Sequence, residues 1–251
     1  MTETHPGERI AKVIARSGRA SRRDAERLIA AGRVAVNGVV LDTPARNVTG
    51  DDVVTIDGQP LAAPARTRLF RFHKPDRCIT AARDPEGRRT IYDILPPELP
   101  RLMPVGRLDW NSEGLLLLTN DGELKRHLEL PGTAWIRRYR VRAFGLPPDA
   151  AMIARLATGM EIDGVRYGAI ETVIDRRQGD NVWLTMSLRE GKNREIRRVL
   201  EALGMQVNRL IRLAYGPFQL GQLAPGGVEE VPPRVLRDSI GGGFGKPPPR
   251  R

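Results

Sequence analysis

The chain contains a single cysteine, Cys78, which excludes an internal disulfide and any multi-cysteine zinc site. Its three histidines, His5, His73 and His127, are scattered without metal-ligand spacing, so no metal is expected. Aromatic residues make up only 5 % of the chain, and any base-stacking role therefore falls on a few named side chains. No stretch approaches the roughly 20 apolar residues that a membrane helix needs. Residues 1–9 offer no apolar signal core, so a cytoplasmic protein is the expectation. Negative charge is also scarce: 30 acidic against 41 basic side chains leave a net charge of +11. That excess suits a polyanion but does not by itself separate RNA from DNA or from an anionic membrane surface.

What remains is an ordinary soluble composition, 40 % hydrophobic and 28 % charged, over 251 residues. This is enough for one large domain or a small one plus a larger one. Residues 8–60 read as a compact module. Ile10, Val13 and Ile14 form a short helical face that ends at Ser17-Gly18. Ser21 starts a second helix with Asp24 three residues on, an acidic variant of the capping box. Ala25, Leu28 and Ile29 supply its apolar face, and Gly32 is placed to end it. Val34-Ala35-Val36, Asn37-Gly38 and Val39-Val40-Leu41 spell a β-hairpin, and Val53 to Ile56 another short strand.

Eight cations, Arg9, Lys12, Arg16, Arg19, Arg22, Arg23, Arg27 and Arg33, fall within 25 residues of this module. Each alone could be a solvated helix residue. Together, offset inside that span only by Asp24 and Glu26, they predict a phosphate-binding face. Gln59 to Thr67, with Pro60 and Pro64, reads as a semi-stiff linker over residues 61–67.

Beyond it, Leu69 to His73 alternates like a strand and stops at Lys74-Pro75. Arg138 to Arg142 and Val182 to Met186 read as further strands, and Ala150 to Leu156 as a short helix. Residues 194–204 make the clearest helix, with Ile196, Val199, Leu200 and Leu203 on one face and Gly204 as its stop. Residues 238–251, rich in Gly, Pro and Arg, are expected to be a disordered basic tail.

One stretch carries more chemistry than the rest. Gly106-Arg107-Leu108-Asp109-Trp110-Asn111-Ser112-Glu113-Gly114 precedes four leucines, Leu115 to Leu118, and then Thr119-Asn120-Asp121-Gly122. An acid on a tight glycine-bounded loop beside a buried strand can serve as a nucleophile or a base. From spacing alone, a structural Asp capping a turn is the simpler reading.

This stretch resembles the catalytic-loop signature of the RsuA/RluB/RluE/RluF family of ribosomal RNA pseudouridine synthases. The resemblance implies that Asp109 is catalytic. Residues 20–29, 32–34 and 36–38 resemble the αL-type RNA-binding domain of small-subunit ribosomal protein S-four, and the hairpin argues against a DNA-binding helix-turn-helix. Glu190-Gly191-Lys192-Asn193-Arg194-Glu195-Ile196-Arg197-Arg198 looks like a further family motif, whose arginine, here Arg197, pairs with the catalytic Asp. Arg197 would otherwise be an exposed helical cation.

Tyr139 matches the family tyrosine that lies against the target base, where stacking is worth roughly 1–3 kcal/mol. Arg137 stands two residues before it, where lysine is common, and is expected to keep a phosphate contact. Lys74, Arg88, Arg107, Lys192 and Arg194 complete the expected RNA contacts. Trp110 has a stacking and a packing reading, while Asn120 and Asp121 read as turn formers.

The implied fold is α+β: the small αL-type RNA-binding domain joined to a catalytic domain over residues 68–237, with a mixed, largely antiparallel sheet flanked by helices. The implied activity is conversion of one uridine of ribosomal RNA, free or in a pre-ribosomal particle, to pseudouridine. The isomerisation moves no atoms in or out, so no cofactor is needed and a monomer suffices. The RluB-like run favours a large-subunit target. A catalytically silent ribosome-assembly factor and a DNA-binding regulator are the competing readings. Whether Asp109 would attack ribose, attack uracil or take a sugar proton stays open.

Overall fold

The computed structural model describes residues 7–133 and 135–241. The N-terminal module contains β1 (Glu8–Arg9), α1 (Ile10–Arg16), α2 (Arg22–Ala30), β2 (Val34–Val36), β3 (Val39–Val40), β4 (Asn47–Val48), β5 (Val54–Ile56) and β6 (Gln59–Pro60). The Ser21 hydroxyl accepts the Asp24 amide at 3.0 Å and so starts α2. Asn37 and Gly38, with φ of 51° and 81°, form the turn between β2 and β3, a geometry that suits the right-handed twist of a hairpin. Strands β2, β3, β5 and β6 make one antiparallel sheet, in the order β3-β2-β5-β6. Ile10, Ile14, Ala25, Ile29, Val34, Val36, Val54 and Ile56 pack into a core of their own. Gln59 and Pro60 pair with β5 and so belong to this sheet, ahead of the stretch read as linker over residues 61–67.

The larger part begins with β7 (Leu69–Lys74), β8 (Met103–Val105), β9 (Glu113–Thr119), α3 (Gly122–Glu129) and β10 (Arg137–Phe144). It continues with α4 (Ala150–Thr158), β11 (Met160–Ile162), β12 (Val165–Tyr167), β13 (Ile170–Gln178) and β14 (Asn181–Leu188). The last elements are α5 (Glu195–Ala202), β15 (Gln206–Tyr215), β16 (Phe218–Gln219), β17 (Val228–Glu230) and α6 (Pro233–Ile240). The central sheet runs β13-β14-β10-β15-β9-β7-β17, with β16 on β15 and β8 on β9. Every pairing is antiparallel except β15 with β9, so the sheet is mixed and largely antiparallel.

The four leucines of β9 explain their own run. Leu116 and Leu118 enter one core with Phe70, Phe72 and Val141, whereas Leu115 and Leu117 enter another with Leu124, Leu128 and Leu236. A strand covered on both faces has no polar side to show. β10 differs: Tyr139, Val141 and Ala143 are buried while Arg138, Arg140 and Arg142 are exposed.

Asp121 caps α3, its carboxylate accepting the Glu123 amide at 2.7 Å, and Asn120 bonds the backbone of Arg66 and Arg68. The helix α6 extends to Ile240, so the segment read as tail from 238 is helical for its first three residues. Its C-terminal face packs back onto the second core through Leu236 and Ile240. Residues 242–251 lie outside the described residues, as does His5.

Candidate active site

Residues 106–112 link β8 to β9 as a loop clamped on both sides of Asp109. The Gly106 amide donates to the Glu129 carboxylate at 2.6 Å. The Thr80 hydroxyl donates to the Leu108 carbonyl at 3.0 Å. Beyond Asp109, Arg197 Nη2 donates to the Asn111 carbonyl at 2.6 Å and Lys74 Nζ to the Ser112 carbonyl at 2.7 Å. The Ser112 amide closes the turn onto the Asp109 carbonyl at 3.1 Å. Backbone polar groups need partners, and here four side chains distant in sequence, Glu129, Thr80, Arg197 and Lys74, supply them. The Asp109 carboxylate itself has no hydrogen bond or ion pair among the described residues. It is held in place through its backbone alone.

The loop forms one wall of a cavity of about 340 Å³, to which Arg107, Asp109, Tyr139, Arg137, Lys192 and Arg194 all contribute. The structure therefore brings six of the sequence-derived residues together. Tyr139 is 9 % exposed, and its hydroxyl makes no hydrogen bond among the described residues. Arg107 and Arg194 are exposed cations without ion-pair partners there, and Arg194 takes a left-handed backbone, φ 52°, at the start of α5.

Four expectations need correction. Arg197 makes no ion pair with Asp109: its guanidinium is spent on the Asn111 carbonyl and, at 2.9 Å, on the Val207 carbonyl. Arg197 is buried, and burial followed by the charge of Arg194 lowers its pKa, an effect Asp109 opposes. It serves the site as a clamp on the loop. Lys74 is fully buried and bonds Ser112 and Pro75, so it cannot touch RNA. Desolvation pushes its pKa down to about 8, against the opposing pull of Cys78, Asp76 and Asp109. Arg137 donates to the carbonyls of Trp135 and Arg189 and to the Tyr215 hydroxyl, at 3.2, 2.7 and 3.0 Å, and so braces the cavity wall. Arg88 is tied to Asp84 at 2.9 Å and Glu86 at 3.0 Å, with its guanidinium 6.0 Å from the Trp110 ring. That contact gives the half-exposed Trp110 a packing partner.

The module's eight cations divide similarly. Arg33 is bidentate to Asp57 at 2.8 and 2.6 Å, Arg27 pairs with Asp24 and Arg16 with Glu8, and Arg9 donates to the Ala45 carbonyl. Lys12 bridges Glu8, at 2.7 Å, to Glu123 on α3, at 2.5 Å, and so joins the two parts of the chain. Arg19, Arg22 and Arg23 keep exposed side chains with no hydrogen bond or ion pair among the described residues. Around α2, Arg19, Arg27 and Arg33 share a cleft with Arg101, which donates to the Ala20 carbonyl at 3.1 Å.

Two buried charged residues of the cavity were not singled out from the sequence. Glu195 is 4 % exposed; burial first, then Glu190 beside it, raises its pKa to about 8. Glu190 is lowered: burial opposes this, but bonds from Glu195, Lys192 and Gly168 outweigh it. Arg212 is 3 % exposed and donates Nε to the Leu115 carbonyl at 2.7 Å. Its signal was present, a lone cation in the apolar run Leu210-Ile211-Arg212-Leu213-Ala214. Among the described residues no cluster of His, Cys, Asp and Glu is arranged to hold a metal, and no helix is long and apolar enough to cross a membrane.

An open, cation-rimmed cavity with an unpaired carboxylate and a buried tyrosine has the groups that an enzyme acting on an anionic polymer needs. Residues 68–202 match the model of the RNA pseudouridylate synthase family and residues 8–54 that of the S4 domain. A Rickettsia bellii RNA pseudouridine synthase is 44 % identical over 230 residues, covering 92 % of this chain and 99 % of that protein. Ribosomal large subunit pseudouridine synthase B of Haemophilus influenzae is 42 % identical over 232 residues, covering 90 % of this chain and 65 % of the relative. A pseudouridylate synthase crystal structure superimposes with a TM-score of 0.66 at 24 % identity, over 93 % of this chain and 100 % of that one, a likeness of fold. The chain belongs to the RNA pseudouridylate synthase family, and it is an isomerase carrying an S4 domain.

Proposed function

We propose that this enzyme converts one uridine of ribosomal RNA, in the large subunit, to pseudouridine, with Asp109 as the reacting carboxylate. The observation that carries the reading is the unpaired Asp109 carboxylate on a loop clamped through its backbone, facing a cavity shared with Tyr139. The target nucleotide leaves its stack to reach that cavity, because its reacting atoms are inaccessible inside a helix. Tyr139 supports the ring, and Arg107 and Arg194 meet the flanking phosphates, whereas Lys192 is held by Glu190 at 2.5 Å. Residues 8–60 dock on the RNA through Arg19, Arg22 and Arg23, while residues 68–237 perform the isomerisation. One enzyme molecule acts on one site, so a monomer is sufficient, and the cytoplasm is where ribosomal RNA is met. The large-subunit assignment rests on the name of the Haemophilus influenzae relative.

The test is tritium release from ribosomal RNA transcripts labelled at uridine C5, and from partially assembled particles, with wild type and Asp109→Asn in parallel. Release by wild type from large-subunit RNA, and background release by a variant that still binds RNA, is expected. Turnover by Asp109→Asn would sink the catalytic assignment. Binding without release by either protein would leave a silent assembly factor.

A further inference from the structure

Arg212 is a buried cation without a counter-ion among the described residues. Its strand places it opposite Tyr139 of β10 on one side and Gly114 of β9 on the other. It lines the same cavity as Asp109 and Tyr139. Of its donors, Nε is satisfied by the Leu115 carbonyl, while Nη2 is buried and has no partner among the described residues. No carboxylate there lies within ion-pair distance. Its guanidinium lies 5.3 Å from the centre of the Tyr215 ring, within cation–π reach. Arg137 approaches the same ring at 4.7 Å, but its donors are taken by three protein acceptors. Burying an uncompensated charge is costly, and such a group persists where its partner arrives with the substrate.

We propose that Arg212 receives the negative charge of the uracil ring after it detaches from ribose, and holds the ring while it turns. This rests on the isomerase reading with Asp109 as the reacting group. When a carboxylate oxygen of Asp109 bonds to C1′, the C1′–N1 bond breaks and its electron pair leaves on the ring. Uracil then carries one negative charge, shared between O2 and O4. After the turn, C5 bonds to C1′, the carboxylate departs with its own electron pair, and the proton on C5 passes to N1. If Asp109 instead removes a ribose proton, the ring leaves with the same electron pair and Arg212 has the same task. A planar guanidinium with several donors can follow the charge from one carbonyl oxygen to the other, which a single ammonium does less well. The charge exists only between the two bond changes, so the contact acts on turnover and hardly on RNA affinity.

The experiment compares wild type, Arg212→Gln and Arg212→Lys on one ribosomal RNA substrate that wild type isomerises. It measures kcat, KM, the salt dependence of RNA binding and Tm. Arg212→Gln should lower kcat by about 10²–10³-fold, the usual loss on removing one preorganised donor, with KM changed by no more than about twofold. Arg212→Lys should recover part of the lost kcat at unchanged affinity. An Arg212→Gln enzyme with wild-type kcat would overturn the proposal. So would a matching loss of affinity and salt slope, which would make Arg212 a phosphate contact. A fall in Tm that accompanies equal loss in both variants would make it a structural residue. A wild type that fails on every ribosomal RNA would strike the isomerase reading itself, before the variants are compared.

Discussion

The Arg197 guanidinium donates to the carbonyl of Asn111 at 2.6 Å, two residues past Asp109, and positions that acid without touching it. Removing the side chain takes the donor from the carbonyls of Asn111 and Val207. A hydrogen bond from a charged donor is worth about 1.5–3 kcal/mol. Arg197→Ala should therefore lose several kcal/mol in denaturant unfolding. Arg197→Met should keep the packing but still lower kcat, because the Asp109 loop is released.

Gly114 carries φ +103°, and a Cβ there would lie 2.6 Å from the Arg212 amide nitrogen and nearer still to its carbonyl oxygen. The parallel contact of β9 with β15 requires glycine at this point. Gly114→Ala should cost at least the ~1–3 kcal/mol of a strained backbone, at about 2–4 °C of Tm per kcal/mol. Thermal unfolding reads the loss, and kcat should fall with it because the Asp109 loop ends two residues before Gly114.

In the S4 domain, only cations without acidic partners are free to meet phosphates. Replacing Arg19, Arg22 and Arg23 together by alanine should flatten the salt dependence of RNA binding, by about 0.7–0.9 in log–log slope for each phosphate that is no longer neutralised. Arg33→Ala, which removes a cation already neutralised by Asp57, should change that slope far less. Equal effects of the two substitutions would refute the division.

Glu195 and Lys74 give stability a pH signature. The Glu195 pKa is raised from 4.5 to about 8, so the folded chain holds the extra proton in that window. Its contribution is full below pH 4.5 and fades as pH rises to about 8. The Lys74 pKa is lowered from 10.5 to about 8, so the unfolded chain holds more protons between those values and stability recovers as pH rises through them. Each group changes the slope by at most about 1.4 kcal/mol per pH unit. Denaturant melts across pH should show Glu195→Gln losing the falling limb and Lys74→Met the rising one, each as a difference from wild type. Identical pH profiles for wild type and both variants would contradict the assignment.

The sequence alone determined the elements that local geometry dictates. The Asn37-Gly38 hairpin, the Ser21 cap, the leucine strand and the helix stopped by Gly204 are set by dihedral preference and by periodicity over a few residues. The Asp109 motif was legible too, because its residues are contiguous. The fate of each cation was not legible. Asp57 neutralises Arg33 from 24 residues away and Glu123 reaches Lys12 across 111, while Asn111 claims Arg197 across 86. Sequence spacing carries no record of such meetings. Only the packed chain decides which charges are paired, which are buried as clamps, and which, like Arg212, are left facing a cavity, because desolvation and Coulomb energy depend on distance in space.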